Sequence, residues 1–266
     1  MSWTVKKFIL IFVTIFILIS FAAQVNSKNL SILIIGQSIS SNCNEYKYAA
    51  INNVYQIDLQ GNRIPAKDPF VWADCQSGSM WIPLGDMMIK NKMADEVTFM
   101  PIGVAGTSVN DYLPNGRAYP KLIRAMSIIK NKKIKFDYIF WHQGSSDIGM
   151  NPRVYKQHFL SLTSQVKNLG NLHNSKWIIA RHSKCSGRID KNIWKAQTEL
   201  GRKDKYFMFF LGPDTNALDD SYRFDTCHLN QKGQVKMAEM WFKSLKNSQK
   251  NEILFRKESL LSIFSR

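Results

Sequence analysis

The sequence predicts an α/β fold, a mainly parallel sheet with helices on both faces. Two observations carry that reading. Short apolar, β-branched runs alternate along the chain with longer segments whose apolar residues recur at helical spacing. The chemically unusual residues fall just after those short runs, where ligands bind in sheets of this kind.

The elements follow in order. Leu30–Ile35 is an apolar run closed by Gly36 and reads as a buried strand. Asn53–Leu59, followed by Gly61-Asn62, reads as an exposed strand and turn. Gly78–Lys92 has helical spacing, and Glu96–Ile102 is a strand ending at Gly103. Tyr119–Lys130 is helical, and Phe136–Trp141 is a strand running into His142-Gln143-Gly144. Pro152–Leu169 is a helix with proline in its first turn. Lys176–Arg181 is a strand, Asp190–Leu200 a helix, Tyr206–Leu211 a strand and Gln231–Leu245 the final helix.

The 266 residues suffice for one large domain, and 45% hydrophobic with 21% charged residues excludes a disordered chain. The organisation expected is a signal peptide over 1–27, one main domain over 28–250 and a basic amphipathic tail over 251–266. Lys6 and Lys7 precede an apolar stretch from Phe8 to Ala23, and Val25-Asn26-Ser27 suits a cleavage site. The rival reading is an uncleaved anchor, for which a run of roughly 16 is short of the ~20 residues a span needs. Either way the remainder is expected outside the cytoplasm, whether secreted, periplasmic or lumenal. In the tail, Ile253, Leu254, Leu260, Leu261 and Phe264 form an apolar stripe among basic residues, suited to packing on the domain or touching a membrane surface.

Export bears on Cys43, Cys75, Cys185 and Cys227, an even set suited to disulfides. Three pairings are open, and sequence proximity favours Cys43–Cys75 and Cys185–Cys227. A zinc site from His182, Cys185, Cys227 and His228 is the alternative. The compartment and the non-standard spacing weigh against it, so neither metal nor cofactor is expected. The net charge of +16 suits anionic glycans or lipid head groups; no nucleic-acid motif accompanies it.

A serine hydroxyl needs a base within hydrogen-bond reach, and the base needs a group that fixes its tautomer. Asp225-Thr226-Cys227-His228 can supply both, with Asp225 on Nδ1 and Nε2 left for Ser38. Gly36-Gln37-Ser38 has Ser40 where a nucleophile elbow needs its second glycine, and a lone serine in such a turn is more often a helix cap than a nucleophile. Acyl transfer also needs donors for the oxyanion. The backbone N–H groups of Ser38 and Gly106 and the side-chain amide of Gln143 are the candidates. Activity is then expected to fall between about pH 8 and 5, the window in which a histidine changes charge.

Four ordered blocks carry a resemblance: Ile35-Gly36-Gln37-Ser38, Gly103–Ser108, Trp141–Asp147 and Asp225–Asn230. They resemble the SGNH-hydrolase superfamily, and more narrowly its sialate O-acetylesterase-like branch, which includes carbohydrate esterase family six. The stretch from Asn53 to Pro69 is similar to that branch too. The resemblance implies a flavodoxin-like three-layer α/β/α fold and metal-free hydrolysis of acetyl esters on an O-acetylated glycan. It implies Ser38 as nucleophile, His228 as base and Asp225 as its orienter, with Gly106 and Gln143 completing the oxyanion hole. Two positions depart from the pattern. Ile39 stands where relatives carry Asn, and Ser145 where they carry a Glu that braces the active-site loops. Hydrolysis of lipid acyl esters or thioesters on the same fold, and a non-catalytic glycan-binding module, are the competing readings.

Overall fold

The computed structural model describes residues 28–202 and 208–264, with side chains described as far as 253. The signal-peptide segment lies outside the described residues. So do the side chains of Leu254, Leu260, Leu261 and Phe264 in the tail stripe.

Seven strands form one sheet in the order β3-β2-β4-β1-β5-β6-β7. They are β1 (Asn29–Gly36), β2 (Val54–Ile57), β3 (Arg63–Pro65), β4 (Glu96–Pro101), β5 (Tyr138–His142), β6 (Lys176–Arg181) and β7 (Phe209–Asp214). All neighbours pair in parallel except β2 and β3, which form an antiparallel hairpin at one edge. The helices are α1 (Trp81–Lys90), α2 (Tyr119–Asn131), α3 (Pro152–Gly170), α4 (Lys191–Arg202) and α5 (Gln231–Phe264).

Strand β1 shows why its sequence is continuously apolar. Leu30, Ile32 and Ile34 point into the core that holds Trp81 and Leu84 of α1 and Met237, Trp241 and Leu245 of α5. Leu33 and Ile35 point the other way, into the core built with Leu122 of α2, Phe159 of α3 and Ile193 of α4. Both faces are covered, so period-2 alternation between apolar and polar disappears.

Local chemistry sets the helix starts. Asn151 caps α3 by accepting from Arg153 N at 2.9 Å, with Pro152 in the first turn. Asp190 does the same for α4, accepting from the backbone of Asn192 and Ile193. Asn230 Oδ1 accepts from Gly233 N at 2.9 Å and opens α5 directly after His228.

Two expectations are corrected. The strand expected to be exposed is largely buried, with Val54, Gln56 and Ile57 all covered. It is not the outermost strand, because β3 pairs along its free side, and Val54 packs in the α1 core. The last helix does not stop at Leu245 but runs unbroken to Phe264. Elsewhere element ends move by a few residues, as hydrogen bonding rather than apolar pattern sets them. Among the described residues no helix is long and apolar enough to cross a membrane.

Candidate functional site

The segments singled out in the sequence all follow the carboxyl ends of strands. Gly36-Gln37-Ser38 follows central β1, Gly103–Ser108 follows β4, and Gln143–Asp147 follows β5. His182–Cys185 follows β6, and Asp225–His228 lies between β7 and α5. Ser38, Gly106 and His228 line one cleft of about 350 Å³, with Gln37, Ala105, Ser145, Ser146 and the four cysteines.

Ser38 is the first residue of a short 3-10 turn, Ser38–Ser40, and not its cap. Its neighbours turn away from the cleft, since Ser40 Oγ and Ser41 Oγ donate to Gln37 O at 2.7 and 3.2 Å. Ile39 is buried in the α1 core.

The opposite wall is a tight loop organised by one carboxylate. Asp225 Oδ1 accepts from the backbone N–H of Cys227 at 3.0 Å and of His228 at 2.6 Å. Asp225 Oδ2 lies 2.6 Å from His228 Nδ1. A carboxylate only accepts, so Nδ1 carries a proton, and in the neutral imidazole Nε2 is then the acceptor. Nε2 is shielded from solvent and has no hydrogen-bond partner among the described residues. Burial pushes the Asp225 carboxyl up, but the hydrogen bonds from His228 and Cys227 outweigh it and hold the group below the usual carboxylate range.

Two further supports fix this loop. Cys185–Cys227 joins it to the segment after β6, and Cys43–Cys75 forms the other disulfide, the pairings that sequence proximity favoured. The sulfurs of Cys185 and Cys227 are bonded to each other and are not thiolate ligands, which removes half of the zinc set considered above. Buried Arg223 donates through Nη1 to Cys227 O, and through Nη2 to Thr215 O at 3.1 Å and Leu218 O at 3.4 Å. The other histidines nearby are not poised as bases. His142 is fully buried, which lowers its pKa to about 3, with Arg223 adding to the effect. Burial likewise holds His182 well below the usual histidine range, followed by the influence of His142, Arg223 and His228.

The glycines of the site have separate reasons. Gly106 sits at φ +64°, and a Cβ there would meet only the Arg117 guanidinium, at 3.3 Å. Gly144, at φ +150°, passes so close to β6 that a Cβ would lie 1.9 Å from His182 O.

Gln143 is placed differently from its expected position as an oxyanion donor. It is fully buried and is not among the residues lining the cleft. Its Nε2 donates to Thr107 O at 2.9 Å and to Asp147 Oδ2. The reason is Asp147, a buried carboxylate that also accepts from Ser108 Oγ at 2.5 Å and Val109 N at 3.0 Å. Burial raises the Asp147 pKa in spite of those donors. Gln143 thus holds the loop that carries Gly106.

Three further residues had no role in the sequence reading. Gln37 Oε1 accepts from Gly144 N at 2.9 Å and Ser145 N at 3.1 Å, while its Nε2 donates to Ser145 Oγ at 2.6 Å. This bracing holds the loop at Ser145, where the resemblance implies a Glu. Asn44 joins the two walls, with Nδ2 donating to Ile39 O at 3.0 Å and Oδ1 accepting from Leu229 N at 3.0 Å. Arg223 is the third. A polar residue near a motif is the only sequence signal any of them gives.

A central parallel sheet with serine, glycine and an Asp-His pair meeting at its carboxyl edge defines a hydrolase of the flavodoxin-like SGNH type. The family described as "Carbohydrate esterase, sialic acid-specific acetylesterase" matches residues 32–247. The chain belongs to that family and is an esterase. Among curated proteins none matches the chain. Solved structures share the fold. A protein from Arabidopsis thaliana is 15% identical, with 83% of this chain and 99% of that chain covered at a TM-score of 0.64. A carbohydrate acetylesterase from Xanthomonas citri is 8% identical, with 82% and 56% covered at 0.54. A lipase/acylhydrolase from Enterococcus faecalis is 14% identical, with 82% and 96% covered at 0.50.

Proposed function

We propose that this esterase removes O-acetyl groups from carbohydrate through an acyl-enzyme formed on Ser38. The observation that carries the reading is the shared cleft, in which Ser38 and Gly106 meet His228 while Asp225 holds His228 Nδ1. Ser38 Oγ attacks the acetyl carbonyl and its proton passes to His228 Nε2. Asp225 stabilises the imidazolium that forms. The oxyanion falls to the backbone N–H groups of Ser38 and Gly106, with Gln143 holding the second of these in place. The imidazolium then protonates the departing sugar oxygen, and water releases acetate by the reverse relay.

The cleft volume of about 350 Å³ suits a small acyl group. The family description and the Xanthomonas citri acetylesterase support carbohydrate as the substrate class. The proposal includes export through residues 1–27, which the two disulfides support. It also includes contact of the basic tail with anionic surfaces. The test is acetate release from a panel of O-acetylated glycans, beside vinyl esters of increasing acyl length. Acetate release that disappears in Ser38→Ala is expected. Preference for long acyl chains, with no release from any glycan, would replace this reading with lipid acyl-ester hydrolysis.

A further inference from the structure

Phe224 belongs to neither hydrophobic core and is one of the exposed large apolar residues, the one among them that lies against His228. The residue is 49% exposed, although both sequence neighbours are firmly held. Arg223 is buried and bonds to three backbone carbonyls. Asp225 organises the His228 loop, and Phe224 N itself donates to His228 O at 3.1 Å. The ring stacks on His228, with centroids 6.1 Å apart and planes 28° from parallel.

We infer that Phe224 is the platform of a sugar-binding subsite, which receives the pyranose ring of the leaving alcohol by stacking. The inference rests on the acyl-enzyme reading above. In that reaction His228 Nε2 delivers a proton to the departing oxygen, so that oxygen sits within hydrogen-bond reach of the imidazole. The group attached to it must then extend past His228. The acyl group lies toward Ser38 and Gly106, on the other wall. The ring stacked on His228 therefore meets the alcohol portion of the substrate and not the acyl portion.

The chemistry of the face selects the ligand. A phenyl ring offers a flat apolar surface with a negative π-face and no hydrogen-bonding atom. A pyranose presents a patch of polarised C–H groups on one face and keeps its hydroxyls at the rim, in water. Because the backbone on both sides of Phe224 is fixed, little loop ordering is needed when the sugar docks, which favours binding.

A kinetic signature follows. All acetyl esters pass through the same acetyl-enzyme, from which the alcohol has already left. Loss of the ring therefore acts on acylation by a sugar ester and not on the deacylation step.

The experiment compares the full protein with Phe224→Ala and Phe224→Trp on an O-acetylated methyl pyranoside, vinyl acetate and vinyl butyrate. Vinyl acetate has a leaving group too small to stack. In Phe224→Ala, kcat/KM for the pyranoside is expected to fall about tenfold further than for vinyl acetate, chiefly through KM, and Phe224→Trp to restore the ratio. An unchanged ratio would overturn the subsite, because the ring would then only support His228. A loss that grows from vinyl acetate to vinyl butyrate would place Phe224 on the acyl side and overturn it as well. A wild-type protein that hydrolyses vinyl acetate but no acetylated pyranoside refutes the glycan reading and the subsite together. Wild-type turnover of the pyranoside with no Phe224 effect refutes the subsite alone.

Discussion

The two walls of the cleft are held by different means. The wall with Ser38 and Gly106 carries the Cys43–Cys75 disulfide and rests on buried side-chain amides and a buried carboxylate, with Gln37 bracing the β5 loop and Gln143 and Asp147 the β4 loop. The wall with His228 is a short loop held by a disulfide, one buried cation and a carboxylate whose side chain is 40% exposed. Strand ends supply the first wall with rigid backbone, so side-chain hydrogen bonds suffice to position it. The second lies well beyond the end of β7, and the Cys185–Cys227 link together with Arg223 does that work. Precision in the nucleophile thus comes chiefly from strand ends, and precision in the base from the loop's own crosslink, cation and carboxylate.

The sharpest tests act on the reacting groups themselves. Ser38→Ala is expected to lower kcat by at least about 10³-fold with the fold intact, measured on vinyl acetate. On the other wall, Asp225→Asn is expected to cost on the order of 10²- to 10⁴-fold in kcat, because Nδ1 loses its acceptor and the tautomer is no longer fixed. Near-normal turnover in either variant would remove that residue from the mechanism.

The crosslink comes next. Cys185→Ser combined with Cys227→Ser is expected to cost about 2–5 kcal/mol of stability, and to lower activity beyond that by freeing His228. Denaturant unfolding and kinetics below the transition separate the two effects. If activity is retained in the folded fraction, Arg223 and Asp225 alone hold the base. Asn44→Ala strikes the joint between the walls and leaves Leu229 N without its side-chain acceptor. A loss of about 1–3 kcal/mol is expected. A loss of activity with no loss of stability would show that Asn44 sets the spacing of the walls and little else.

The smallest effect contrasts the two carboxylates by pH. Asp147 is raised in the folded protein, chiefly by burial. Its protonated form is the favoured one, so its contribution to stability weakens as pH climbs above the ordinary carboxylate value of 3.8 toward the raised value. Asp225 is lowered, burial being outweighed by its hydrogen bonds, so its contribution is present above 3.8 and lost as pH falls through the lowered value. Measured from pH 3 to 7, the Tm of Asp147→Asn relative to wild type should rise with pH, and that of Asp225→Asn should fall. Slopes of the same sign would break the electrostatic contrast between the walls.

Much of this was legible beforehand. Strand β6 has the same ends, Lys176 and Arg181, in the sequence reading and in the structure, and α2 and α3 differ from it by one residue at one end. The proximity of Asp225 to His228 followed from their spacing on one loop. The burial of β2 did not, because a strand's exposure depends on what pairs along its far side. Nor did the place of Gln143. A side-chain amide after a strand can donate into a cleft or into a neighbouring loop, and the buried acceptor Asp147, four residues on, decided between them.

The amino-acid sequence by itself determined the alternation of elements, the apolar runs that demand helices on both faces, and an ordered set of residues around Ser38. These are local properties of period, turn chemistry and spacing. Only the tertiary structure decided that Gln37 and Ser145 brace the loop after β5, that Asn44 ties the walls together, and that Phe224 lies open against His228. Each depends on which atoms far apart in the chain come within about 3 Å, or stay in water, once the sheet has closed.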